Sequence, residues 1–148
     1  MEIEKNKMNT KSIIIIALVA TIGSILGGYI FNGLTGRSNV FDKALVEAAN
    51  QINQNLPIMV DSDTRWDSTM AFPGKVFSYY FTIINYTVDE IDAETFEIEI
   101  RPNLINNIKT NSDMKDFRNN KVTLNYVYRD KNNIEIIQIK ITYEDYNN

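Results

Sequence analysis

The densest run of chemically capable side chains in this 148-residue chain is Val60-Asp61-Ser62-Asp63-Thr64-Arg65-Trp66-Asp67-Ser68-Thr69. It combines three carboxylates, an arginine, the only tryptophan and four hydroxyls. Calcium is one ligand such acids could hold. An EF-hand loop begun at Asp61, however, needs glycine at its sixth position and glutamate at its twelfth, where Trp66 and Phe72 stand. Glycoside hydrolysis is a second possibility, with Asp61 or Asp63 opposed to Asp67; a pair of acids is necessary for it and far from sufficient. Recognition is a third. Arginine and tryptophan are the types most often found as interface hot spots, and an edge strand carrying them could bind a partner by strand addition. That reading makes Asp61, Asp63, Arg65, Trp66 and Asp67 the candidate binding residues. A purely structural reading stands beside it: Asp61 and Asp63 cap a strand end, Arg65 pairs with one of them, and Trp66 packs on a helix.

The absent residue types narrow the chemistry further. The chain has neither histidine nor cysteine. Ser-His-Asp and Cys-His catalysis, Cys/His zinc sites, thiolate iron–sulfur clusters and disulfides are therefore excluded. Acid–base work would fall to carboxylates, lysine or tyrosine, and no arrangement of these forms a recognisable catalytic motif. The sequence assigns no catalytic residue, no metal and no cofactor, and the chain reads as a non-enzyme. Nucleic acid is disfavoured as a partner by a net charge of −4, a pI near 4.8 and scattered lysines and arginines. Tyr79, Tyr80, Phe81, Tyr86, Tyr126, Tyr128, Tyr143 and Tyr146 could line a ligand face, although aromatics at strand spacing more often form core and cross-strand pairs. Asn85-Tyr86-Thr87 matches a glycosylation acceptor, a pattern too common by chance to carry weight.

The elements that must position these residues begin with an uneven apolar distribution. Hydrophobic residues make up 44% and charged residues 23%, yet no charge occurs from Ser12 to Gly36. Ile13 to Phe31 reads IIIIALVATIGSILGGYIF, which at about 1.5 Å per residue matches a hydrocarbon core of roughly 30 Å. The stretch is longer than the apolar part of a signal peptide, and no lipoprotein cysteine follows. An uncleaved single-pass anchor is expected over 12–36, after a cytoplasmic tail at 1–11. Lys5, Lys7 and Lys11 precede the run, against Arg37 and Lys43 after it, which directs the C-terminal part out of the cytoplasm. Gly23 and Gly27 form a GxxxG, and Ala20, Ser24 and Gly28 repeat at the same interval. Close helix–helix packing, with itself or a partner, is one use of such a face.

Residues 37–148 are expected to form one α+β domain. Asn39 can cap a helix, with Asp42 favouring its positive end. Phe41, Ala44, Leu45, Ala48, Ala49 and Ile52 make its apolar face, and Asn53, Asn55 and Pro57 end it. An extended stretch over 58–70 and a strand over 76–86 flank the turn Phe72-Pro73-Gly74-Lys75. Residues 93–101 are ambiguous, since Phe96, Ile98 and Ile100 alternate as in a strand while Phe96, Ile100, Leu104, Ile105 and Ile108 fit a helix. Helix is favoured, broken or kinked near Pro102, followed by a short turn capped by Ser112. Alternation over 122–129 and 137–143 about Asp130-Lys131-Asn132-Asn133 predicts a second hairpin. The order α-β-β-α-β-β predicts a four-stranded antiparallel sheet with helices on one face.

The stretch Leu56 to Ser68, the Pro73-Gly74 turn with its tyrosine-rich strand, and Ser112-Asp113-Met114 leading to Val122-Thr123-Leu124-Asn125-Tyr126 resemble small bacterial envelope domains of uncharacterised function. The resemblance covers about Phe41 to Tyr143. It implies a helix-on-sheet fold akin to cystatin or pilotin domains and an N-terminal hydrophobic anchor, and it implies no activity. Such domains often carry cysteines near Thr110 and Tyr146, which this chain lacks. The expected function is a binding or accessory module, anchored in the cytoplasmic membrane and acting on an envelope protein. The alternatives are an inhibitory or exclusion factor that blocks an incoming enzyme, toxin or phage component, and a carboxylate-dependent hydrolase.

Overall fold

The helix expected after the joint forms because Phe41, Leu45, Ala48, Ala49 and Ile52 repeat at three- and four-residue intervals and all are buried. It is α1, Ser38–Asn53, in a computed structural model that describes residues 38–148. The anchor expected over 12–36, its small-residue face and the 1–11 tail lie outside the described residues. No helix among the described residues is long and apolar enough to cross a membrane. Asp42 does not serve the positive end of α1. Its two oxygens accept the backbone N–H groups of Gly74 at 3.1 Å and Lys75 at 2.8 Å, tying the second turn of the helix to a hairpin.

That hairpin joins β2, Thr64–Phe72, to β3, Val76–Ile83. Its turn places Gly74 at φ 85° and Lys75 at φ 60°; the first of these is the region glycine enters freely. The extended stretch expected over 58–70 is split by the loop at 61–63. Its first part is a two-residue strand, β1, Ile58–Met59, which pairs antiparallel with β2. After β3 the chain enters α2, Ala93–Thr110, whose N-cap Asp92 accepts the N–H groups of Glu94 and Thr95. It continues through α3, Lys115–Asn119, into the predicted hairpin of β4, Thr123–Arg129, and β5, Glu135–Ile141. A last turn of helix, α4, Tyr143–Tyr146, holds Tyr143, which the alternation had assigned to a strand.

Two expectations need correcting. The sheet has five strands in the order β1-β2-β3-β4-β5, and β3 pairs with β4 in parallel. The helical crossover returns the chain to the end where β3 began, so Thr123 lies beside Val76 and donates its N–H to the Lys75 carbonyl. The second correction is that α2 runs unbroken through Pro102. Phe96, Ile100, Leu104 and Ile108 are buried along one stripe, while Pro102 sits on the exposed side. Packing of that stripe outweighs the missing N–H.

The described helices pack on one face of the sheet. The strand residues facing them pair in rows, Trp66–Phe81–Tyr128 and Tyr79–Tyr126. Phe81 and Tyr128 stack with ring centres 5.1 Å apart, as do Tyr79 and Tyr126. Phe96 of α2 meets Tyr128 edge-on at 4.9 Å, and Phe117 of α3 meets Phe77 at 5.3 Å. Each large side chain buried this way contributes roughly 1.5–3 kcal/mol. The opposite face of the sheet carries no helix among the described residues.

Candidate functional site

The pleat of β2 divides the candidate binding residues. Trp66 points into the core and is 0% exposed. Its ring packs on Tyr79 at 5.7 Å and Phe81 at 6.2 Å, and its indole N–H donates to the Ser68 carbonyl at 3.1 Å. Trp66, expected as a contact residue, is thus enclosed by the strands rather than offered to a partner. Arg65 and Asp67 stand on the open face. There the Arg65 Nε donates to an Asp67 oxygen at 2.5 Å, and the Thr82 hydroxyl donates to the other oxygen at 2.5 Å. The expectation that Arg65 pairs with Asp61 or Asp63 gives way to this Asp67 pairing, two residues along the bulged strand.

Asp61 and Asp63 lie apart from that pair, in the loop between β1 and β2. One Asp61 oxygen accepts the N–H groups of Asp63 at 2.8 Å and Thr64 at 2.7 Å, which closes the loop at the start of β2. Asp63 accepts from the Ser62 hydroxyl and from the Asn85 amide at 2.6 Å. One Asp61 oxygen thus takes the capping role of the structural reading, while the Asp63 carboxylate is held by side chains alone. Among the described residues no cluster of three ligand-type side chains is placed to hold a metal ion.

The open face bears a groove of about 670 Å³. From β2 it takes Arg65, Asp67 and Met70; from β3, Tyr80 and Thr82. Its far wall is Arg129 at the end of β4, with Asp130 and Lys131 of the following turn. Sheet register makes one continuous row, Arg65 opposite Thr82 and Thr82 beside Arg129. The Arg129 guanidinium lies over the Tyr80 ring at 5.6 Å and donates to the Asn133 side chain at 3.2 Å. Asp130 is fully buried and accepts three backbone N–H groups, from Val88 at 3.0 Å, Asn132 at 2.8 Å and Ile134 at 2.8 Å. Burial alone would raise its pKa; the three donors, joined by the charge of Lys131, outweigh that and hold the carboxyl below the ordinary aspartate value.

The tyrosines separate by strand parity. Tyr79, Tyr126 and Tyr128 face the core, where burial pushes each phenol up. Tyr146 is pushed up to about 12, again chiefly by burial, and its hydroxyl donates to the Val122 carbonyl at 2.8 Å. Only Tyr80 of this group lines the groove. Arg129, Lys131 and Met70 went unnoticed as site residues in the sequence. The outward parity of Met70 and Arg129 on their strands was the available signal, with Lys131 in the turn that follows, but joining them required the parallel pairing of β3 and β4.

Helices on one face of a mixed sheet, with the other face left as an open groove, define an α+β helix-on-sheet domain. The chain belongs to the family described as "Domain of unknown function (DUF8479)", whose model matches residues 39–138. No curated protein matches it. Three solved structures are similar in fold. PA3611 of Pseudomonas aeruginosa, described as secreted, has TM-score 0.61 at 12% identity, covering 73% of this chain and 94% of its own. The type 2 secretion system pilotin EpsS of Vibrio vulnificus has TM-score 0.58 at 8% identity, covering 74% and 94%. The type II secretion system pilotin AspS of Vibrio cholerae has TM-score 0.54 at 11% identity, covering 73% and 94%. At these identities the likeness is one of fold, and it agrees with the pilotin-like architecture expected from the sequence.

Proposed function

We propose that this chain is a non-catalytic accessory module of the bacterial envelope that recognises a protein partner through the open face of its sheet. One observation carries the reading. The helical face of the sheet is filled by aromatic and aliphatic side chains, while the other face holds a wide groove with arginine, tyrosine and methionine on its walls. Arginine and tyrosine are hot-spot types, and a groove open along its length suits a polypeptide better than an enclosed small molecule. The fold shared with two secretion-system pilotins supports a role beside an envelope assembly. The apolar run before the domain supplies an anchor, and its flanking lysines support an extracytoplasmic domain.

The test is site-specific photo-crosslinking in cells that express the full chain. A crosslinking residue at Met70, exposed in the groove, should trap one discrete protein. The same residue at Ile98, exposed on the outer side of α2, should not. Equal adducts from both positions, or adducts from Ile98 alone, would overturn the assignment of the open face. A reporter fused after Asn148 checks the compartment, and activity confined to the cytoplasm would remove the envelope reading.

A further inference from the structure

Resting on the open-face reading, we infer that the segment seated in the groove is acidic, placing a carboxylate on Arg129 and Lys131 and apolar side chains on Met59 and Met70. The chain as a whole is acidic, with a net charge of −4, yet its groove holds two cations that form no ion pair among the described residues. Five charged side chains belong to the groove: Arg65, Asp67, Arg129, Asp130 and Lys131. Arg65 and Asp67 neutralise each other at 2.5 Å. Asp130 is buried and accepts three backbone N–H groups; the Lys131 charge also helps to lower its pKa, but the two form no ion pair within 4.0 Å. That leaves Arg129 and Lys131, neither of which forms an ion pair within 4.0 Å among the described residues.

Two further carboxylates on neighbouring segments form no ion pair with these cations. Glu135 stands opposite Arg129 in the register without forming an ion pair. Glu90 lies close enough to Lys131 for its own pKa to feel the charge, but a Glu90 oxygen is engaged by the N–H and hydroxyl of Thr87. The two cations are also held in place. Lys131 donates its backbone N–H to the Tyr86 carbonyl at 3.1 Å, and Asp130 fixes the turn on either side of it. The Arg129 guanidinium lies over the Tyr80 ring, with one hydrogen bond to Asn133. A guanidinium has five N–H donors, so enough remain for a two-point contact with a carboxylate. Met59 and Met70, 47% and 50% exposed, belong to the same face, Met59 standing opposite Arg65. An occupant that fits all of these is an acidic, amphipathic stretch of polypeptide. Anionic lipid would be drawn to the same cations, but a concave groove on a negatively charged protein is a poor seat for a flat anionic surface.

The experiment uses the full chain in neutral detergent micelles. The probe is a short fluorescein-labelled peptide of glutamate and leucine, compared with the same peptide carrying lysine for glutamate. Anisotropy should show the acidic peptide binding at least about ten-fold more tightly, the scale of one good charged contact. Arg129→Gln with Lys131→Gln should remove that preference, and Lys131→Gln alone, at an exposed turn position, should weaken it without threatening the fold. Equal binding of both peptides, or a preference untouched by Lys131→Gln, overturns the inference. So does recruitment to phosphatidylglycerol vesicles through the same two residues, which would assign the groove to lipid. The Met70 crosslink separates this inference from the broader reading. A trapped segment of net negative charge supports the inference. A neutral or basic segment removes it and leaves the docking face standing. The absence of any adduct removes the docking face itself.

Discussion

Adjacent residues on β2 have opposite tasks because the strand pleat sends them to opposite faces. Trp66 fills the core against Tyr79 and Phe81, so Trp66→Ala should cost about 3–5 kcal/mol in urea unfolding, the range for deleting a large buried aromatic. Arg65 is paired with Asp67 at side-chain exposures of 43% and 28%, and a pair in that setting is worth less than about 1 kcal/mol. Arg65→Ala should therefore leave the unfolding midpoint nearly unchanged, and any loss of partner capture in it reports on binding alone. Asp130 makes a separate prediction with a definite sign. Its folded-state pKa is lowered, so its stabilisation is complete above the unfolded value near 4 and is lost as pH falls through the lower folded value. Glu90 and Asp145 act in the same direction, each lowered first by a backbone N–H, of Thr87 and Thr142 respectively. Melting temperature should fall steeply below about pH 4, and Asp130→Asn should lower the neutral-pH value while flattening that acid limb. An unchanged limb in the variant would place the acid sensitivity elsewhere.

Among the elements, β2 shows how a sheet edge is closed by a side chain. Beyond its short pairing with β1, the strand would expose its backbone. The Asn53 amide instead donates to the Thr69 carbonyl at 2.9 Å and accepts the Thr69 N–H at 2.7 Å, in the manner of a partner strand. Asn53→Ala should cost about 1–3 kcal/mol, the scale of leaving such groups unpaired, and should promote self-association on gel filtration, because open edges recruit strands. Pro102 offers the reverse case. It sits inside α2, and Pro102→Ala should raise stability by up to about 3 kcal/mol by restoring an N–H and relieving the ring. These elements were unevenly legible in the sequence. Alternation in 123–129 and 135–141, and the aromatic and β-branched composition of 76–83, report strands directly. Residues 93–101 alternate too, and the cap at Asp92 together with Ile98 at 65% exposed shows why helix prevails. The parallel contact of β3 with β4 was not legible, because neither strand's own pattern names its neighbour. For the same reason Arg65 was visible as a candidate while its groove companions Arg129 and Lys131 were not.

At the scale of the whole molecule, the sheet separates an open face from a packing face, and the packing face is rich in phenols. Tyr79, Tyr126 and Tyr128 stack within it and Tyr146 closes one end. The hydroxyls of Tyr79 and Tyr128 have no hydrogen-bond partner among the described residues, so ionising either would bury an uncompensated charge. The sign of the consequence follows from linkage. These groups have folded-state pKa values raised above the unfolded value near 10. Their stabilisation is thus fully present below pH 10, and it is lost as pH rises through the folded values. The three core tyrosines act in the same direction, so their losses add as the pH rises. The domain should therefore unfold cooperatively in alkali, its buried tyrosines ionising in the same step that abolishes far-ultraviolet circular dichroism and shifts Trp66 emission to the red. Tyr126→Phe keeps the ring and its stacking but deletes one ionisable group, so it should move that transition to higher pH. Gradual ionisation of the core phenols while the circular dichroism stays intact would mean that the packing face admits water, and that the two faces of the sheet differ less than their side chains imply.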